Sequence, residues 1–368
     1  PREVAVSGRR TAPSGFAIVA EDGAGDVVAD NFAALTQFLF PGEGIVRDDE
    51  EGGYPVDCRF DESLGEEAYA IAFSADGADV TGGSEAGLLY GLVTLAQIGR
   101  GARLHPERFS FPTAGRIEDR PRMRWRGCHL DVARRFYSSE EVKQFLAILA
   151  WNKLNVFHWH LSDDEAWRVE IDAVPALTGT VAWRGHAAPI PPLLGSGPEP
   201  EGGFYTKDAV RDIVDLAQDF GIDVVPEIDV PGHCHALLRA LPALADPDET
   251  GEYRSIQQFP NNCLNPAVEP VYETLETIVG ELCDLFPSRY FHVGADEVPA
   301  EAWQGSPLAA RLRAELGVEG ASPLQAHFLT RIQAMLRARG RITGAWEEAA
   351  QGGGIGATDA YLVGWHTV

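Results

Sequence analysis

The chain has 368 residues, 45% of them hydrophobic, with 55 acidic against 30 basic side chains and a formal net charge of −25. No apolar run is long enough to cross a membrane as a helix, and the acidic balance argues against nucleic acid, anionic lipid or a polyanion as partner. The five cysteines (Cys58, Cys128, Cys234, Cys263 and Cys283) form no C-x-x-C pair, so zinc and redox patterns are absent and at least one thiol is free. Cys128 and Cys283 read as small core residues, and a Cys234–Cys263 disulfide across one loop stays open. Neither a cytoplasmic nor a secreted location is readable, and the oligomeric state is not encoded in any motif.

Residues 1–115 read as a smaller accessory α+β domain. Ala68–Ser74 is a predicted strand, and Val80-Thr81 is its hairpin partner across Asp76-Gly77. A helix over 84–98 follows, with Ser84 as N-cap and Leu88, Leu92, Leu95 and Ile98 as its apolar stripe. Ile117–Arg122 is polar and contains Pro121, which predicts a linker.

From 121 to 368 the rhythm becomes strand, helix, strand. Strands are predicted at 125–132, 155–161, 222–228, 289–293, 341–346 and 361–365. Helices are predicted at 140–151, 206–220 (stopped by Gly221), 268–286 and 322–339 (stopped by Gly340). Near-continuous apolar strands alternating with helices mean a parallel sheet covered by helices. The stretch 178–204, rich in Gly and Pro, reads as a long loop.

The polar and aromatic residues collect at the C-terminal ends of these strands: Asp131 and Arg134; His158, His160, Asp163 and Asp164; Glu227, Asp229 and His233; Asp296 and Glu297; Trp346 and Glu347; Trp365 and His366. In a (β/α)₈ TIM barrel that rim is the active-site face. An open doubly wound sheet is the alternative, without a Gly-rich phosphate loop to support it.

Several of these residues have two readings. The His158-Trp-His160 pair faces one side of its strand. It would suit a metal-dependent hydrolase with His292 or His366 as further ligands, but reads more readily as hydrogen-bonding groups. Asp229 and His233 share one tight turn and are close enough to pair. Trp346 and Trp365 are either core or flat walls for a sugar ring. Arg134 is either a solvated charge or a fork that holds vicinal hydroxyls. Asp296 and Glu297 end a buried strand after Gly294-Ala295. They could be a helix cap and a solvated acid. As two shielded like charges, they require at least one carboxyl pKa to rise, which suits proton donation.

Four ordered motifs carry a resemblance: Arg126-Gly-Cys-His-Leu-Asp-Val-Ala-Arg134, Trp151-Asn-Lys-Leu-Asn-Val-Phe-His-Trp-His-Leu-Ser-Asp-Asp164, Val225-Pro-Glu-Ile-Asp-Val-Pro-Gly-His233 and His292-Val-Gly-Ala-Asp-Glu297. With the Tyr90–Gln97 helix, they make the chain resemble the β-N-acetylhexosaminidases of glycoside hydrolase family 20 along nearly its whole length.

The resemblance implies retaining removal of terminal β-linked N-acetylglucosamine or N-acetylgalactosamine from an oligosaccharide, with the substrate's acetamido oxygen as nucleophile. No cofactor or metal is implied. Glu297 would be the general acid and base, and Asp296 would orient the acetamide. Asp229 and His233 would steer Glu297. Asp163 and His160 would support the sugar or the acid, Arg134 would bind the distal hydroxyls, and Trp346 and Trp365 would wall the acetamido pocket. The resemblance leaves open the preferred sugar and the trimming specificity.

Two departures stand out: Ala295 replaces a usual second glycine, and the chain stops at Val368, after the sixth strand. The family's two further strands bring a Tyr, a Trp and a Glu to the pocket, so the expectation is a fragment of the barrel. Rival functions are a metal-dependent hydrolase built on His158 and His160, and a carbohydrate-binding protein without catalysis.

Overall fold

The computed structural model describes residues 2–47, 52–195, 197, 199–355 and 360–365, without the side chains of 352 and 353. The chain forms two compact units: Pro1–Cys128 with Glu140–Val156 and Asp215–Asp223, and His129–Ser139 with Phe157–Val214 and Val224–Val368.

In the first unit, strands β1 (Glu3–Ser7), β2 (Phe16–Ala20), β3 (Tyr54–Phe60), β4 (Tyr69–Phe73), β5 (Ala78–Gly82) and β6 (Ala114–Asp119) form one mixed sheet in the order β1-β6-β4-β5-β3-β2. Helices α1 (Gly23–Leu39) and α2 (Glu85–Leu104) pack on each other, and α2 also packs on the sheet. The predicted hairpin is β4–β5, with Ile71 opposite Val80. Ser84 caps α2 by accepting the Gly87 N–H. The helix runs past the expected end at Ile98 because buried Gly99 and Ala102 continue its inner face.

The predicted linker is corrected in its first three residues: Ile117–Asp119 belong to the strand Ala114–Asp119, with Ile117 opposite both Val4 and Ile71. Ile117 is the only apolar side chain of that run to be buried, and an alternation reduced to one residue carries no visible period. Phe16, Phe32, Tyr54, Phe73, Leu88, Leu92 and Phe111 fill the core, with Tyr54 and Phe111 edge to face at 5.1 Å.

The second sheet holds six strands: β7 (Gly127–Asp131), β8 (Val156–His160), β13 (Asp223–Glu227), β14 (Tyr290–His292), β15 (Ile342–Trp346) and β16 (Ala360–Val363), adjacent in chain order. The registered pairs are parallel, such as Glu227 with His292 and Phe291 with Thr343. The connections carry α3 (Ser139–Trp151), α4 (Ala176–Val181), α5 (Lys207–Asp219), α6 (His235–Ala240), α7 (Glu269–Leu285), α8 (Pro307–Leu316) and α9 (Ser322–Ala338). Two small ribbons lie after β8: β9 (Ser162–Asp163) with β10 (Ala166–Trp167), and β11 (Trp183–Arg184) with β12 (Glu201–Gly202). This is a curled parallel sheet of the TIM-barrel type, six strands of it among the described residues.

Within the 178–204 stretch, the described residues include regular elements. Helix α4 opens it, and Arg184 ties the β11–β12 ribbon down by donating to the Arg134 carbonyl at 2.5 Å and pairing with Glu201 at 3.1 Å. Helix α8 has no counterpart among the predicted elements. Ser306 starts it by accepting the Ala309 N–H, and Gly317 ends it at φ +68.

The two-residue period of β8 sorts its side chains. Phe157 and Trp159 are fully buried, and Trp159 meets Tyr205 and Phe286 at 4.7 and 6.2 Å between ring centroids. His158 and His160 occupy the opposite face, inside the curl.

Candidate active site

The inner face of the sheet is polar. Glu227, at the end of β13, is completely buried among imidazoles from three neighbouring strands. Its Oε2 lies 2.8 Å from His158 Nε2, 2.8 Å from His160 Nδ1 and 3.4 Å from His129 Nε2. Its Oε1 lies 2.9 Å from His292 Nδ1 and accepts the Trp346 indole N–H at 3.2 Å. Sequence reading placed Glu227 on the rim without giving it a role. Its signal was an acid closing a strand whose middle, Val224-Val225-Pro226, is apolar.

A line of contacts runs outward from this hub. His160 Nε2 lies 2.7 Å from Asp163 Oδ2, and Asp163 Oδ1 lies 3.0 Å from His233 Nδ1. His233 Nε2 lies 3.4 Å from Glu297 Oε2 and 3.7 Å from Asp296 Oδ2. His233 thus takes its near partner from Asp163 across the sheet, not from Asp229 on its own turn. Arg134 Nη1 pairs with Asp163 at 2.7 Å and with Asp131 at 3.1 Å, and its Nε donates to Glu165 at 2.9 Å. Glu165 is a second residue the sequence did not single out. Asp164 also reaches His233, with Oδ2 3.5 Å from Nδ1, and accepts from Asn262 and from the His235 backbone.

Asp296 and Glu297 sit on a turn that few residues tolerate. Gly294, Ala295 and Glu297 have φ values of +63, +69 and +51, a region that costs a side chain of order 1–3 kcal/mol. Hydrogen bonds hold the turn, among them Gly294 N–H to His292 Nδ1 at 3.1 Å. Ala295 N–H donates to Asp229 at 3.0 Å, Glu297 N–H to Glu348 at 2.8 Å and Trp346 N–H to the Gly294 carbonyl at 2.9 Å, while Gln325 donates to the Ala295 carbonyl at 2.9 Å. Asp296 therefore caps no helix; the next one begins at Pro307.

Gly294 is indispensable here, because a Cβ on it would lie 2.0 Å from Asp229 Oδ1. Gly294→Ala is expected to displace Asp229 and cost about 2–3 kcal/mol by overpacking. The loss would be read as a lowered Tm together with lost activity.

The shifts in proton affinity follow the charge pattern. Against the cost of burial, His233 and His160 hold the Asp163 carboxyl far below its ordinary range. In the same way His160, His292 and His158 hold Glu227 low. Against burial, Glu227 holds the His160 imidazole, and Asp163 the His233 imidazole, well above the usual 6.5. Burial, opposed by Glu227 and aided by the His292 and His129 charges, takes His158 down to about 4.

Of the adjacent acids it is Asp296 that rises, through burial. Glu297 is lowered by its His233 bond, opposed by burial and aided by Gln257. Asp229, buried against Asp296, is raised well above 3.8, and burial with the Asp163 charge takes Glu165 to about 7.

Stability follows from these signs. His160 and His233 contribute fully below pH 6.5 and lose that contribution as pH rises through their raised values. Asp229 and Glu165 keep protons that the unfolded chain releases, so they also lower stability with rising pH. Asp163 and Glu227 contribute above the ordinary carboxylate range and lose it as pH falls. Thermal denaturation is expected to peak between about pH 4 and 6.5, and a Tm climbing from pH 6 to 9 would contradict this.

Trp346 and Trp365 stack at 5.6 Å and 28°. Trp365 donates its indole N–H to Glu348 at 3.2 Å, so Glu348 joins this indole to the Glu297 backbone. Gln257, on a turn after α6, donates to Glu297 Oε2 at 2.8 Å. Neither Glu348 nor Gln257 carries a sequence signal. His366 lies outside the described residues.

Cys234 and Cys263 are not bridged. None of the five cysteines is in a disulfide, and these two donate to the Asp229 carbonyl and to Asn262.

Among the described residues, four sets of side chains bring ligand atoms within 4.8 Å of one another: His129–His158–Glu227, His160–Asp163–Asp229, Asp163–Asp164–His233 and Asp229–His233–Asp296. The His158/His160 pair does not converge on one open position. Each turns a nitrogen to Glu227, and His160 gives its second to Asp163. A cleft of about 750 Å³ in the first unit, lined by Asn31, Glu62, Glu85 and Asp219, contains none of these residues.

A parallel barrel-type sheet whose strand ends gather carboxylates, imidazoles and stacked indoles defines the class. The chain belongs to glycosyl hydrolase family 20: residues 123–368 match its catalytic domain and residues 1–120 its domain 2.

Among relatives, it is 38% identical over 315 residues to the beta-hexosaminidase of Vibrio furnissii, covering 85% of this chain and 51% of that protein. It is also 38% identical over 259 residues to the beta-N-acetylhexosaminidase of Cellulomonas fimi, covering 67% and 48%. Among solved structures, the GH20 exo beta-N-acetylglucosaminidase of Vibrio harveyi, in complex with N-acetylglucosamine, superposes with a TM-score of 0.88 at 35% identity. It covers 100% of this chain and 57% of that one. The GH20 beta-N-acetylhexosaminidase of Streptomyces coelicolor A3(2) gives 0.71 at 28% identity, covering 98% and 68%. The chain spans about half the length of the first two relatives.

Proposed function

We propose that the protein bearing this chain is a β-N-acetylhexosaminidase that removes terminal β-linked N-acetylglucosamine or N-acetylgalactosamine with retention. The observation that carries this reading is the Asp163–His233 line ending on both carboxylates of one strained turn, at 3.4 and 3.7 Å. The names of the relatives support it, among them the exo beta-N-acetylglucosaminidase of Vibrio harveyi.

In this reading the substrate's acetamido oxygen attacks the anomeric carbon and displaces the leaving group, forming an oxazolinium ion that water then opens. Glu297, 15% exposed at its side chain, protonates the departing oxygen and then activates the water. Asp296, more buried, accepts from the acetamide N–H and balances the positive charge of the oxazolinium. His233 faces both carboxylates and is oriented by Asp163; His160 steadies Asp163 from behind. Asp229 holds the turn through the Ala295 N–H and lies against Asp296. Arg134 presents its fork to the distal hydroxyls, preset by Asp131, Asp163 and Glu165. Trp346 and Trp365 wall the acetamido side. These steps need no metal.

The test is hydrolysis of an aryl N-acetyl-β-glucosaminide by the full-length protein, with and without a chelator, at pH 4–8. Chelator-insensitive turnover supports the reading. Activity lost on chelation and restored by zinc would favour a metal-dependent hydrolase, and binding of the sugar without turnover would favour a carbohydrate-binding protein.

A further inference from the structure

We propose that Gln257 is a latch on the acid: it holds Glu297 in the empty site and is pushed aside by the leaving-group sugar of an oligosaccharide. This rests on the acid role given to Glu297 above. The carboxyl freed by docking takes up one proton from solvent, which it then passes to the departing glycosidic oxygen.

Two donors converge on one oxygen. Gln257 Nε2 donates to Glu297 Oε2 at 2.8 Å, and His233 Nε2 lies 3.4 Å from the same atom. An amide nitrogen only donates, so the bond favours the carboxylate and opposes the protonated state that an acid must reach. The other charged groups around Glu297 do not relieve this. The Arg134 and His233 charges also favour the carboxylate. Glu348 is engaged by the Glu297 backbone, and Asp296 faces His233. Asp163 lies behind His233.

The two donors differ in one respect. His233 is 2% exposed at its side chain and fixed by Asp163, whereas Gln257 is exposed. Only Gln257 is within reach of an incoming group.

The turn beneath Gln257 is braced, so its side chain can move alone. Ser255 N–H donates to the Phe259 carbonyl at 2.9 Å, Phe259 N–H to Ser255 Oγ at 3.0 Å, and Arg254 to the Gln258 carbonyl at 2.8 Å. Ser255 and Phe259 are buried. Beside Gln257, Ile256 is 69% exposed and gives a docking sugar an apolar face. A rotamer change at an exposed side chain takes picoseconds to nanoseconds and adds no slow step.

The experiment compares the pH dependence of kcat/KM and kcat for N,N′-diacetylchitobiose, with the full-length wild type, Gln257→Ala and Glu297→Gln. The first parameter reports the empty site and the second the occupied one. In the wild type the basic limb of kcat/KM is expected at lower pH than that of kcat. Gln257→Ala is expected to move the kcat/KM limb up towards that of kcat, which stays in place. Just above the wild-type limb, kcat/KM then rises about threefold to tenfold. A kcat/KM limb unmoved by Gln257→Ala, or an equal loss at every pH, overturns the latch while leaving the acid role of Glu297 standing. A basic limb that survives in Glu297→Gln overturns that role, and the latch with it.

Discussion

Glu297→Gln is expected to lower turnover of substrates with poor leaving groups by about 10²–10⁴-fold, the range a positioned general acid supplies. Activated aryl glycosides should lose far less, because their departing oxygen needs little protonation. Gln keeps the shape of Glu and can still meet His233 and Gln257, so the turn should survive. That turn is held through backbone groups by Asp229, Glu348 and Gln325, none of which contacts the Glu297 carboxyl. Asp296→Asn should lower both substrate types, since in the proposed reaction its carboxylate balances charge on the sugar whatever the leaving group. Equal losses on both substrate types for Glu297→Gln would remove it from the acid role.

Asp163→Asn is expected to damage stability and turnover together. The Asp163 side chain is 1% exposed and faces His160, His233 and Arg134 at 2.7, 3.0 and 2.7 Å. All three are donors or cations. The amide of Asn would turn a donor towards one of them and leave a buried positive charge without its partner. Removing one member of a buried ion pair costs about 3–5 kcal/mol. His233 would then lose what raises its proton affinity and fixes its ring, and both carboxylates beyond it would lose their orientation. Thermal denaturation and kcat on one sample check this. A variant as stable as the wild type with unchanged kcat would mean that the Asp163–His233 contact is idle.

What was legible in the sequence was local. The period of β8 puts His158 and His160 on one face and Phe157 and Trp159 on the other, and the helices α5 and α9 end at the glycines that predicted their ends. The Asp-Glu pair stood out because it closes a buried strand.

What was not legible depends on partners far apart in sequence. Glu227 is an ordinary acid until His129, His158, His160 and His292 close around it from other strands. Asp229 and His233 share a turn, yet His233 faces Asp163, seventy residues earlier. Two adjacent acids predict that one rises; that Asp296 rises follows from its depth, and that Glu297 falls follows from His233 and from Gln257, forty residues away. The strand β6 stayed hidden for a related reason. Its pairing with β1 and β4 supplies the backbone bonds that its polar sequence gives no cue for.

In the proposed reaction the substrate's own acetamide does the nucleophilic work beside Asp296. The most direct measurement is kcat/KM of the full-length protein for a series of aryl β-glucosaminides whose N-acetyl group carries zero, one, two or three fluorines. Each fluorine weakens the carbonyl oxygen as a nucleophile while changing its size little. A steep fall along the series is expected, by orders of magnitude from acetyl to trifluoroacetyl. A flat series would contradict it and hand the nucleophilic role to a group of the protein.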